Sequence, residues 1–112
     1  MAVTQRVYPY TPEFLLNAIY DIREMRKAKA IKLPVKNPDV AEVEMITDMY
    51  TVKQTYLFRL TRGKAGTVVE IESNDSTENA AHSVGFMLSV LDAMIEPFRG
   101  KGYKENPKTG TR

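Results

Sequence analysis

Apolar and polar positions change period several times along the chain, and each change marks an element. From Val3 to Tyr8 the two kinds alternate among residues that favour strands, so a β-strand is expected there. Thr11 then stands as an N-cap, with Pro12 at the first helical position and Glu13 in the first turn, where an acid meets the positive end of the helix. Phe14, Leu15, Ala18, Ile19, Ile22 and Met25 recur at helical spacing and form one apolar stripe. "AIKLPVKNP" reads as a short edge strand interrupted by Pro34, because proline has no N–H for a ladder.

From Ala41 to Val52 the period becomes two. Val43, Met45, Thr47 and Met49 point one way and Glu42, Glu44, Asp48 and Tyr50 the other, with Ile46 an exception. Gln54 to Thr61 repeats the pattern, with Tyr56, Phe58 and Leu60 on one face and Arg59 on the opposite one. A third such strand carries Thr67, Val69, Ile71 and Ser73 inward and Val68, Glu70 and Glu72 outward.

Between the last two strands lies Gly63-Lys64-Ala65-Gly66, which invites a phosphate-loop reading. A phosphate loop needs four residues between its first glycine and a Gly-Lys-Ser/Thr that opens a helix. Here the spacing is wrong and a strand follows, so both glycines are read as supplying positive φ to a hairpin turn.

The clearest period follows. Asp75 or Ser76 caps a helix, with Glu78 in capping-box position, and Ala81, Val84, Leu88, Leu91, Ile95 and Phe98 step by three and four until Pro97 and Gly100 end it. Residues 101–112 are polar, rich in Gly and Pro, and read as a disordered tail behind a single α+β domain of residues 1–100. The order of elements calls for a curved antiparallel β-sheet packed on a long C-terminal helix, the sheet bending to cover the helical stripe.

Composition narrows the function classes. A chain of 112 residues supports one core, and 43% apolar with 27% charged residues is ordinary for a globular domain. With no cysteine, disulfides, thiolate metal sites and thiol nucleophiles drop out. The N-terminal residues lack the apolar run of a signal peptide and no segment is long enough for a membrane span, so a cytoplasmic location is expected. The net charge of +2 argues against nucleic acid, even though Arg23, Arg26, Lys27, Lys29, Lys32 and Lys36 form one basic stretch and Arg99, Lys101, Lys104, Lys108 and Arg112 another. Too few aromatics are interleaved with them for base stacking.

Candidate chemistry is sparse. His82, the only histidine, shares a helix face with Glu78, Ser89 and Asp92 and is expected to face solvent; it and Glu78 are too few ligands for zinc. Glu70 and Glu72 face the same way, as paired carboxylates do in some hydrolases, but they fit the wet face of a sheet. Ser76 and Thr77 are explained by capping. Met25, Met45, Met49, Met87 and Met94 suit core filling or an adaptable apolar pocket. No catalytic constellation, metal site or cofactor site is expected, and enzymatic activity has no positive support.

Three stretches carry a resemblance to a known family: "VYPYTPEFLLNAIYD", "TYLFRLTRGKAGTVVEIESND" and "HSVGFMLSVLDAMIEPF". Together they resemble the helix-grip fold of the START and Bet v 1-like (SRPBCC) superfamily, in a reduced form with a short interval over residues 28–52. The resemblance implies a non-catalytic module holding a small apolar or lipid-like ligand between sheet and C-terminal helix. Its expected lining is Tyr56, Phe58, Leu60, Val69, Ile71, Leu88, Leu91 and Ile95. The alternative is a homodimeric protein-interaction subunit with a dry core, meeting its partner through an exposed sheet edge or the second helix.

Overall fold

The computed structural model describes residues 2–49, 52–74 and 80–98. The elements run β1 (Ala2–Tyr8), α1 (Pro12–Arg26), β2 (Lys29–Leu33), β3 (Val40–Met49), β4 (Val52–Arg62), β5 (Thr67–Ser73) and α2 (Ala80–Ile95), with a 3₁₀ turn over Glu96–Phe98. The five strands form one antiparallel sheet in the order β1-β5-β4-β3-β2, and both helices lie on one face. β3, β4 and β5 are successive hairpin neighbours, whereas β1 crosses back to pair with β5 from Ala2 opposite Ser73 to Tyr8 opposite Thr67. The fold is α+β, as the pattern of elements requires.

The alternation within the strands sorts the two faces as expected. Val43, Met45, Tyr56, Phe58, Leu60, Val69 and Ile71 are buried against Phe14, Leu15, Ala18, Ile19 and Ile22 of α1 and Val84, Leu88 and Leu91 of α2. Thr67 is buried with them, and its hydroxyl donates to the Tyr10 carbonyl at 2.7 Å, so its polar atom costs nothing. Tyr10 stacks on Phe14 at 4.5 Å between ring centroids, and Phe98 meets Phe14 edge-on at 5.4 Å, which seats the 3₁₀ turn against the start of α1.

Local signals set the helix ends. Thr11 Oγ1 accepts from the Phe14 N–H at 3.1 Å, the N-cap bond expected of that residue. At the other end Lys27 adopts a left-handed conformation, φ 53°, which lets Ala28 N–H donate to the Arg23 carbonyl at 2.9 Å and closes the helix without a glycine.

Several expectations need correction. Val52 opens β4 and does not close β3, which ends at Met49, its partner in the ladder. Pro34 follows β2 and does not interrupt it. The α1 stripe stops at Ile22; Met25 in the last turn is 59% exposed. On α2 Ala80 is buried while Ala81 is exposed, and Met87 and Val90 are buried beside the expected stripe. In the hairpin between β4 and β5 only Gly66 has positive φ, 138°, with Gly63 N–H donating to the Gly66 carbonyl at 2.7 Å. The helix cap proposed at Asp75, Ser76 and Glu78, the side chain of Met49 and the tail of residues 101–112 lie outside the described residues.

Candidate functional site

The side chains between sheet and helices are buried in one cluster. Phe58, Leu60, Val69, Ile71 and Leu91 are fully buried, and Leu88 and Ile95 nearly so, each within the one hydrophobic cluster. Of the eight residues expected to line a ligand cavity, Tyr56 borders open space at the sheet's far end, and the other seven belong to this packed cluster.

That open space is a cleft of about 230 Å³ where the β3–β4 hairpin, the end of α1 and the first half of α2 converge. Its described lining is Arg26, Thr47, Gln54, Tyr56, His82, Ser83, Phe86 and Met87. The alternation of β3 and β4 turns Thr47 and Tyr56 inward together with Gln54. The helical spacing of His82, Ser83, Phe86 and Met87 brings all four to the opposite wall. Tyr56 is nine-tenths buried or more, and its hydroxyl donates to Gln54 Oε1 at 2.8 Å. The Arg26 guanidinium stands 5.3 Å from the Phe86 ring centroid, a cation over an aromatic face that caps the cleft while Phe86 stays 43% exposed. The walls are thus mainly apolar with a few convergent polar groups and one imidazole, the composition of a small-molecule site.

Sequence reasoning found parts of this lining under other headings. Arg26 was counted in a basic stretch, Met87 among possible pocket methionines and His82 as a solvent-facing histidine; His82 is indeed exposed, at the mouth of the cleft. Thr47, Gln54, Ser83 and Phe86 were not singled out. A bulky aromatic on the polar side of an amphipathic helix, as Phe86 is, was the available signal.

Asp92 departs from expectation in another way. Expected on the solvent side of α2, it is half-buried against β1, where it accepts from the Tyr8 hydroxyl at 2.6 Å and pairs with Arg6. Burial, reinforced by this hydrogen bond, pushes the Tyr8 phenol well above its ordinary pKa. The bond to Asp92 likewise holds the Arg6 guanidinium more firmly protonated.

Among the described residues no helix covers the opposite face of the sheet. Arg59 lies between Glu42, at 2.6 Å, and Glu70, at 3.4 Å, one strand to either side. Glu70 thus belongs to a charged ladder across three strands, and Glu72, two residues on, lies beside Val3 and Leu57. Among the described residues no group of three His, Asp or Glu is placed to hold a metal ion, and no helix is long and apolar enough to cross a membrane.

Comparison with known proteins adds to the fold alone. No family model matches the chain, and no curated protein matches it. The chain is similar in structure to protein MLL2253 from Mesorhizobium loti, with a TM-score of 0.57 at 14% sequence identity over 86% of this chain and 96% of that one.

Proposed function

We propose that the protein is a non-catalytic binding module whose ligand lies between the sheet and the first half of α2, in the cleft bordered by Tyr56 and Phe86. The observation that carries this reading is the cleft of mixed polarity at the end of the buried cluster, with Tyr56 belonging to both. At about 230 Å³ the cleft is smaller than the ~300–1,000 Å³ of drug-sized sites, so the ligand is a small molecule with one apolar body. Tyr56, Phe86 and Met87 supply the apolar contact; Thr47, Gln54, Ser83 and His82 supply hydrogen bonds that orient a polar end. Binding fits better than turnover because no carboxylate among the described lining residues orients His82 as a base.

The order of elements supports a reduced helix-grip architecture in which α2 is the gripping helix and the sheet curves over it. On that reading the ligand occupies one end of the grip, with the middle closed by Phe58, Ile71 and Leu91. The alternative, a homodimeric interaction subunit, is favoured by the uncovered edge of β1.

The test is native mass spectrometry of freshly purified protein followed by amide shift mapping with a library of small fragments. Retained mass, or shifts clustered at Tyr56, His82, Phe86 and Met87 and reduced in Phe86→Ala, supports the reading. Fragments that bind nowhere, or only away from these residues, overturn it.

A further inference from the structure

We infer that two copies of the chain associate through the edge of β1, antiparallel about a two-fold axis at Gln5, so that their sheets join into one. This does not rest on the ligand reading, since the cleft lies at the β3–β4 hairpin and the edge is β1.

The two edges of the sheet are built differently. β2 is five residues long, carries Lys29 and Lys32, and is flanked by Lys27, Pro34 and Lys36, all features that deter another strand. β1 is longer and carries no lysine, although Pro9 follows it as Pro34 follows β2. It pairs with β5 over seven consecutive residues without a bulge, contains no proline or lysine, and no strand pairs with its other side among the described residues. Charge selects the same edge. Bringing two β2 edges together sets lysines against lysines, whereas the one charge on β1, Arg6, is already bound to Asp92 of its own chain.

The exposed side chains suit a second copy. Val3 and Val7, each 56% exposed, sit two residues either side of Gln5 on the open face. A two-fold at Gln5 pairs every residue of β1 and sets Val3 opposite Val7 of the second copy. Val68 is the β5 neighbour of Val7, so each such row becomes a run of three valines, the cross-strand packing that stabilises a ladder. A stable interface buries roughly 1,200 Å² or more, so the helix layer has to contribute as well. α2 lies over β1, and on its Asp92 side it presents Ala81, Gly85 and Ser89; a Cβ built on Gly85 meets nothing within 4 Å. These small side chains leave the backbone of α2 free to approach its counterpart.

The absence of cysteine makes the test direct. In Gln5→Cys, two thiols face each other across the axis with Cα atoms ~4.5–5.5 Å apart, within the range a disulfide spans. Under mild oxidation most of Gln5→Cys is expected to run as a linked dimer, and Ile31→Cys, on the other edge and 51% exposed, as a monomer. Sedimentation equilibrium of the unmodified chain is expected to show a dimer, which Val7→Lys shifts to monomer. A monomer throughout, or a dimer that links through Ile31→Cys and not Gln5→Cys, overturns the inference.

Discussion

The Tyr8 hydroxyl and the Arg6 guanidinium bind different oxygens of the Asp92 carboxylate, so one side chain of α2 fastens two residues of β1 on the same face. Removing it strands a phenol whose residue is only 4% exposed. Asp92→Ala is expected to cost about 1–3 kcal/mol in urea unfolding, the penalty for a buried donor left without an acceptor. Adding Tyr8→Phe to that variant should recover part of the loss, and the double-mutant cycle measures how much of the cost belongs to the pair.

The same phenol makes stability fall at alkaline pH. An unfolded tyrosine ionises near pH 10, while Tyr8 in the folded chain holds its proton above that because of burial and Asp92. The folded state therefore binds more protons than the unfolded one above pH ~10, and stability must decline as pH rises through that region. Thermal unfolding followed from pH 8 upward should show the decline, and Tyr8→Phe should flatten it.

Gly63 and Gly66 stand at the two ends of one four-residue turn and tolerate a side chain differently. A Cβ on Gly66 would stand 2.0 Å from the Tyr8 carbonyl oxygen, at a φ of 138° that side chains rarely adopt. Gly66→Ala is expected to destabilise by more than about 1 kcal/mol, since both the clash and the backbone strain add. Gly63→Ala, whose Cβ would find its nearest neighbour at 3.5 Å, should change the denaturation midpoint little.

Leu91 reports whether α2 is packed as described. It is fully buried in the cluster, so Leu91→Ala should cost about 2–5 kcal/mol, and Leu91→Asp should abolish folding by setting a charge in the core. A melting temperature unchanged in Leu91→Asp contradicts the packing of the helix.

What could be read from the sequence was what is local. The inward faces of β3, β4 and β5 follow from a period of two, because each side chain's direction is fixed by its neighbours within the strand. The hairpin from Gly63 to Gly66 follows from local spacing, although only Gly66 takes the positive φ. Met25 satisfied the helical period and is still exposed, since a period says which side a residue faces and not how far the packed surface extends. Asp92 was unreadable for a different reason: its partners lie at the other end of the chain, and amphipathicity describes it only as polar. The cleft draws its walls from three segments, so the residues that form it share no spacing that could announce it.

The placement of β1 beside β5 also has a consequence during synthesis. Ala2 is opposite Ser73, so β1 waits while about 70 further residues are added, several seconds at ~5–20 residues per second. β3, β4 and β5 meet none of this delay, since each pairs with the strand that precedes it. The growing chain therefore carries β1 without its partner strand until β5 has been made. On a polysome the β5 of a neighbouring chain is identical to the partner β1 waits for, and exchange of β1 between adjacent nascent chains is the misassembly this topology has to outrun.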